Sequence, residues 1–318
     1  MDTPTSRPSE DDLYATLRAA IAELAARDPE AQRFGARHHR YRAGRPITEA
    51  RIAAIEAEAN VRLPDDYRQH LLALGDGGAG PYYGLLPLDH PIQRALLPGV
   101  FPYVHGAAPP PPENLSPSSS SPWSGGDGDR RPRRSPSIEE EPGGERLGGS
   151  SPSPWQGVVG VGHLGCGYTA LLVVTGPARG QIWLDARSSD VGVIPIYPSF
   201  AIYVADWITR RAHAQWLAPH IPAGVCALPA ALSSYFHQLE QKQGLAPGAL
   251  EGDALRAAIA SIDVGGIATT QDVPTPFFAA GDRLDLCVAC ELLADNLGMN
   301  RACFVPGVEP IPARDRTE

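Results

Sequence analysis

The stretch that decides the fold runs from residue 63 to residue 88 and reads LPDDYRQHLLALGDGGAGPYYGLLPL. Pro64 suits a first helical turn, and the apolar spacing of Tyr67, Leu71 and Leu74 predicts an amphipathic helix. Gly75 is suited to a left-handed cap at the end of that helix. The glycine-rich residues from Gly75 onwards therefore predict a turn-rich loop that connects a helical part to the next part of the chain.

Two further helices are predicted on the N-terminal side of this stretch. One begins near Ser9, with acidic residues in its first turn and apolar residues at helical spacing after them. The other has Thr48 as its N-cap and Asn60 at its end, and Ile47 and Ile52 are spaced for a hydrophobic staple across the cap. The N-terminal part of the chain is thus expected to be helical.

On the C-terminal side, the pattern changes to short apolar runs that predict strands. A β-hairpin is expected over Ala170 to Asp185, with Thr175 to Gly180 as its turn. A helix capped by Ser199 and containing Trp207 should pack on the resulting sheet. Three more helical segments are then predicted, near 229–243, 248–262 and 282–298.

Residues 107–154 are dominated by Pro, Ser and Gly, a composition that cannot bury enough apolar surface to fold. We predict a disordered insertion there. Because helices precede it and their sheet follows it, the insertion is expected to interrupt one domain, not to link two. The predicted organisation is a helical segment at 1–44, a domain at 45–212 and a helical extension at 213–318.

Composition restricts the class of function. The formal net charge of -9 gives no basic field that could hold a phosphate backbone, so nucleic acid is not expected as a direct ligand. No apolar run is long enough for a membrane helix, and the polar N-terminus does not resemble a signal peptide. Five cysteines, an odd number, fit a reducing compartment. We therefore expect a cytoplasmic protein with no membrane partner.

The residues from Gly160 to Gly165 match the GxGxxG pattern of dinucleotide-binding proteins, with Asp185 about 20 residues further on. That fingerprint requires a helix directly after the glycines, whereas Tyr168 to Val174 is strand-like. We therefore reject a nucleotide site. Cys166 near His163 could form a thiol–imidazole pair, but a small cysteine between glycines is more typical of packing.

Cys287 and Cys290 have the CxxC spacing of zinc and redox sites, and Cys303 could supply a third sulfur. Because both fall on the apolar side of a predicted helix and a fourth ligand is missing, buried thiols are the favoured interpretation. A metalloprotein or enzyme that uses these three cysteines stays open as an alternative. The sequence predicts no catalytic residues, no metal ligands and no cofactor.

The stretch from Ile47 to Leu88, followed by Gly165-Cys166-Gly167-Tyr168-Thr169 and the hairpin, resembles the SUKH superfamily, whose name partly reflects yeast cell-wall-assembly regulators. The resemblance covers about residues 45–212. It implies an α+β fold, with N-terminal helices packed on a mixed, largely antiparallel sheet. It also implies a binding scaffold: many bacterial members are immunity proteins that neutralise toxins, and fungal members bind signalling proteins.

The signature residues of the resemblance are expected to serve mainly as helix start, core and turn positions. They are Leu63, Pro64, Tyr67, Leu72, Gly75, Gly77, Gly78 and Gly84. On the hairpin, Trp183 and Asp185 are the candidate partner contacts.

Two functional hypotheses arise from the resemblance. The first is a non-catalytic immunity protein that binds a cognate toxin, such as a basic nuclease or deaminase. The second is an intracellular scaffold or regulator of cell-wall assembly or signalling, which binds proteins without a toxin partner.

Overall fold

The computed structural model describes most of the chain outside its termini and several internal segments. The described residues are 10–104, 153–189, 191–209, 227–246, 248–260, 262, 269–270, 274–299 and 304–310. Apart from its last two residues, the predicted disordered insertion at 107–154 lies outside them. Within the described part, no helix combines the length and apolarity needed to cross a membrane.

The N-terminal part is helical, and two of its helices end at the predicted Asn60 and Gly75. The helices are α1 (Glu10–Arg27), α2 (Ala36–His39), α3 (Glu49–Ala59) and α4 (Asp65–Leu74). The Thr48 side chain accepts a hydrogen bond from the Arg51 backbone N–H at 3.2 Å, and Asn60 closes α3 in the left-handed region. Both predicted caps are confirmed. Pro64 is the N-cap of α4 and not its first residue. The prediction of a left-handed cap at Gly75 is wrong, because its φ of 97° and ψ of 177° lie outside the left-handed helical region, and the short helix α2 was not predicted.

The glycine-rich loop after α4 contains a short strand that the sequence did not predict. Strand β2 (Asp76–Gly78) pairs antiparallel with β1 (Ala43–Arg45). A Cβ on Gly44 would lie 2.2 Å from the carbonyl oxygen of Gly77, so the two backbones approach more closely than side chains allow. The glycines therefore serve a strand pairing as well as a turn.

The central sheet has four antiparallel strands in the order β3-β4-β5-β6. They are β3 (Val158–Gly165), β4 (Tyr168–Val173), β5 (Ile182–Ala186) and β6 (Gly192–Tyr197). The predicted hairpin is confirmed as β4 and β5. Leu85 forms bridges to both Gly78 and Gly162 and so joins the small β1-β2 pair to β3.

Helix α5 (Pro91–Leu96) covers the middle of β3 through one side chain. The buried Gln93 amide accepts a hydrogen bond from the Gly160 N–H at 2.9 Å and donates one to the Gly160 carbonyl at 2.7 Å. It therefore pairs with the backbone as a neighbouring strand would. The GxGxxG glycines lie within β3, and strand β4 follows them, so the rejection of a dinucleotide site is supported by the geometry.

The two sides of the sheet bury separate apolar clusters. On one side α6 (Phe200–Thr209) packs with α1 and α4, and Phe200 lies 4.8 Å from the ring of Tyr67. The Ser199 hydroxyl accepts from the Ile202 N–H, which confirms the predicted cap. On the other side Phe101 and Trp183 pack with aromatic residues from the C-terminal part. The α+β fold class is confirmed.

The described residues of the C-terminal part are mainly helical and include one short strand pair. Its elements are α7 (Ala227–Gln243), α8 (Gly252–Ala260), β7 (Thr269–Thr270), β8 (Arg283–Leu284) and α9 (Val288–Asn296). The helix predicted from residue 282 begins only at Val288, because β8 occupies the first positions and Cys287 is the N-cap. Phe277 and Phe278 belong to the second cluster, so this part covers the sheet.

Candidate functional site

A cleft of about 550 Å³ separates the N-terminal helices from the C-terminal part. One wall comes from the loop before α2, from α2 itself and from Tyr83 of the glycine-rich loop. The other comes from residues 284–286, α9 and residues 304–306. The first wall therefore belongs to the predicted N-terminal segment, except for Tyr83 of the predicted domain, and the second wall belongs to the C-terminal extension. The lining includes carboxylates, guanidinium groups, one imidazole and apolar side chains.

Tyr83 lies between two histidines at the base of this cleft. Its ring stacks on His163 with the centroids 4.7 Å apart, and His38 meets its edge at 4.7 Å. The Tyr83 hydroxyl donates a hydrogen bond to the Leu286 carbonyl oxygen. Burial, together with the charges of Asp285 and Glu291, raises the pKa of Tyr83 well above its usual value. The phenol stays neutral and ties the glycine-rich loop to the C-terminal part.

His38 is the histidine of this group whose protonated form is stabilised by its neighbours. Burial lowers its pKa, but a hydrogen bond with Glu309 at 3.2 Å and the charges of Asp285 and Glu309 outweigh that effect. The Asp285 carboxylate lies 3.8 Å from the other ring nitrogen. The net result is a raised pKa, so His38 and the two carboxylates form a charge cluster at the cleft.

The pKa values of His163 and His39 are lowered, in contrast to that of His38. Burial, together with the neighbouring charge of His38, lowers the pKa of His163 to about 3. Burial likewise lowers the pKa of His39 to about 4; its Nδ1 accepts a hydrogen bond from the Tyr41 N–H. Both rings are neutral near pH 7 and serve as aromatic packing groups.

The loop that forms the N-terminal wall is held by a carboxylate and a guanidinium group. Asp28 accepts hydrogen bonds from the Gln32 and Arg33 N–H groups and from the Tyr41 hydroxyl at 2.7 Å. Arg33 donates to the Trp207 carbonyl oxygen, and its guanidinium carbon lies 5.9 Å from the Trp207 ring centroid. Burial lowers the pKa of Arg33. This wall is therefore fixed to α6.

Most of the signature residues occupy structural positions. Leu63, Pro64 and Tyr67 are buried, and Gly75, Gly77, Gly78 and Gly84 have positive φ angles. Positive φ is strained for residues with a Cβ, so glycine is favoured at these four positions. Leu72 differs, because 39% of its surface is exposed. It is one of six large apolar residues with notable exposure in the described part of the chain, and these are spread over several elements.

Trp183 and Asp185 are not placed to contact a partner. Trp183 is 2% exposed and packs at 5.2 Å against the Phe101 ring, while its indole N–H donates to Gln181. Asp185 is 3% exposed and forms a bidentate ion pair with Arg187 at 2.8 Å. Their prediction as interface residues is corrected: β5 is an inner strand of the sheet, and both side chains lie in its packed interior.

Sequence reasoning missed the residues that form the cleft. His38, Tyr83 and Asp285 are separated by long stretches of chain, and no local spacing relates them. It also missed that Cys166, between β3 and β4, lies beside the CxxC pair. The sulfurs of Cys166, Cys287 and Cys290 all lie within 4.8 Å of one another and are buried. Cys303, the expected third sulfur, lies outside the described residues.

Comparison with models of known protein families identifies the family of this chain. The model of the SMI1 / KNR4 family (SUKH-1) matches residues 46–206, which is about half of the chain. The chain belongs to this family, as the resemblance of the signature stretch indicated. No curated protein and no solved structure matches the chain. The matched region contains the glycine-rich loop and the central sheet, whereas the lining of the cleft lies outside it except for Tyr83.

Proposed function

We propose that this chain is a non-catalytic immunity protein, which binds a cognate protein toxin in the cytoplasm and neutralises it. The observation that carries the proposal is membership of the SMI1 / KNR4 family (SUKH-1). Many bacterial members of this family protect cells from toxins delivered by their neighbours. Such toxins are often nucleases or deaminases, and we assign the partner to this class.

The charge of the chain supports a basic toxin. A net charge of -9 attracts a basic protein over several ångströms and raises the rate of encounter. A nuclease needs a basic surface to hold phosphates, so an acidic inhibitor can compete with its substrate through the same charges.

We place the partner surface at the cleft between α2 and α9. Asp285, Glu291 and Asp295 line its second wall, and all three belong to the part of the chain outside the family match. Acidic side chains that line a cleft outside the matched family region are suited to recognising a basic surface of a toxin. The cleft has a volume of about 550 Å³, which is enough for one or two side chains of an inserted basic loop.

Inhibition of an isolated partner tests the proposal directly. The tagged chain is used to capture its partner, and the purified toxin domain is then assayed with increasing amounts of the chain. We expect activity to fall in proportion to the chain added, until the two are equimolar. A toxin domain that stays fully active at saturating chain contradicts the proposal.

Charge reversal tests the location of the surface. The double variant Glu291→Arg/Asp295→Arg is expected to weaken toxin binding at least about tenfold at low salt, because it places like charges against a basic partner. The control is the double variant Glu251→Arg/Asp253→Arg, which makes the same total charge change at exposed positions outside the lining of the cleft. Equal loss of binding in both variants would mean that only total charge matters and that the cleft is not the surface.

The same capture distinguishes the regulator hypothesis. Recovery of envelope or signalling proteins in place of a toxin, with binding lost on deletion of residues 107–154, would favour a scaffold that uses its predicted disordered insertion. Toxin binding that survives this deletion would instead assign recognition to the folded part.

A further inference from the structure

Three cysteines from two distant parts of the sequence meet in the interior. Cys287 and Cys290 are 0% exposed and Cys166 is 7% exposed, and their sulfurs all lie within 4.8 Å of one another. The Sγ atoms of Cys166 and Cys290 are 3.8 Å apart. Thiolates bound at about 2.3 Å to one tetrahedral Zn²⁺ are separated by about 3.8 Å. The spacing of this pair is thus that of two ligands of one metal ion.

The backbone conformation of the turn at Cys166 indicates that the Cys166 thiol has a function. Cys166 and Gly167 form the two-residue connection between β3 and β4, and both have positive φ, 50° and 80°. Such turns favour Asn, Asp or Gly at the first position, and a cysteine there is strained. The thiol occupies a position where another residue would make the better turn.

The backbone brings this turn against the CxxC segment. A Cβ on Gly165 would lie 2.3 Å from the Leu286 carbonyl oxygen, so only a glycine permits the approach. The Cys166 N–H donates to the Asp285 carbonyl at 2.8 Å, and the Cys287 N–H donates to the Cys166 sulfur at 3.2 Å. Backbone N–H groups that point at a sulfur stabilise a thiolate and are common around metal-bound cysteines.

The two cysteines of the CxxC segment lie at the same end of one helix. Cys287 is the N-cap of α9 and Cys290 lies in its first turn, so both sulfurs can reach one ion beside the β3-β4 turn. Soft thiolate ligands select Zn²⁺ and Cu⁺ over hard cations. Three sulfurs complete a trigonal site, and a tetrahedral Zn²⁺ site needs one further donor.

We propose that Cys166, Cys287 and Cys290 bind one thiophilic metal ion, Zn²⁺ or Cu⁺, which fastens the C-terminal part of the chain to the β3-β4 turn of the family domain. The ion replaces the thiol protons, which are released to solvent, and no electron transfer is involved. Since Asp285 and Glu291 flank this segment, the ion also fixes the second wall of the cleft. The site departs from the sequence-based expectation that the chain has no cofactor.

The test is metal binding by the full-length chain under reducing, oxygen-free conditions. The protein is stripped with chelator, incubated separately with Zn²⁺ and with Cu⁺, desalted and analysed for metal content. We expect about one ion per chain with at least one of the two metals. The metal that gives this stoichiometry identifies the occupant. Retention below about a tenth of an ion per chain with both metals would overturn the proposal.

Two ligand variants and a matched control make the result specific. Cys166→Asn supplies a residue that the turn favours and removes one sulfur, so it should fold while losing at least about tenfold in metal affinity. Cys290→Ser should show the same loss. The control is Ser188→Ala, which removes the hydroxyl that donates to the Cys166 carbonyl oxygen but keeps all three sulfurs, so it should bind metal as the unchanged protein does. Metal binding that persists in both ligand variants, or a disulfide within the cluster in protein prepared under reducing conditions, would refute the site.

Discussion

Acidification from pH 7 to pH 5 is expected to destabilise this protein through three buried histidines. The pKa is lowered from 6.5 to about 4 in His39, to about 4 in His70 and to about 3 in His163, in each case first by burial. In the unfolded chain these rings titrate near 6.5, so the unfolded state binds more protons below that pH. Their contribution to stability is therefore complete above pH 6.5 and is lost as the pH falls towards the folded-state values.

The size of this loss of stability follows from the 1.5 pH units between the pKa of 6.5 in the unfolded chain and pH 5. At about 1.4 kcal/mol per unit, each histidine costs about 2 kcal/mol, and the three together cost about 6 kcal/mol. His38 acts against this loss. Its folded pKa is raised, so its stabilising contribution is fully present below pH 6.5 and is lost as the pH rises through the folded value. Domains are stable by only about 5–15 kcal/mol, so the net change should be easily measured.

Urea unfolding at pH 7 and pH 5 measures this difference, and two variants assign it. His163→Phe keeps a ring stacked on Tyr83 but removes the titration, so the loss between the two pH values should shrink by about 2 kcal/mol. His38→Gln should have the opposite effect and enlarge the loss. Comparing each variant with itself at two pH values cancels the cost of the substitution. An unchanged pH dependence in His163→Phe would refute the burial argument.

Four substitutions test the packing by urea or thermal unfolding. Thr48→Ala removes the α3 cap and should cost about 1 kcal/mol; no loss would mean the cap hydrogen bond is replaced by water. Trp183→Ala empties a buried site and should cost about 3–5 kcal/mol, whereas a surface residue would cost far less. Gly160→Ala places a Cβ 2.4 Å from the Phe277 ring and should cost about 1–3 kcal/mol, unless the ring moves freely. Leu72→Ala should cost less than about 1 kcal/mol, and a larger loss would show that its exposed side chain is anchored.

Local signals in the sequence predicted the elements whose formation depends on neighbouring residues. The caps at Thr48 and Asn60, the helix α4 and the β4-β5 hairpin are all set by side chains within a few positions. Their physical causes are short-range hydrogen bonds and apolar periodicity, which a single sequence displays. The signature stretch likewise carried enough local pattern to indicate the family, and the family model confirms it.

The tertiary structure alone decided which residues meet and which are covered. Trp183 and Asp185 look exposed in a hairpin read by itself, but β3 and β6 flank the hairpin and C-terminal residues cover one face of the sheet. Cys166 lies beside Cys290, which is 124 positions later in the sequence, because the turn at Gly165 packs on Leu286. Burial and long-range contact arise from the packing of whole elements. No local pattern encodes them, and so the cleft and the thiol cluster became visible only in the folded chain.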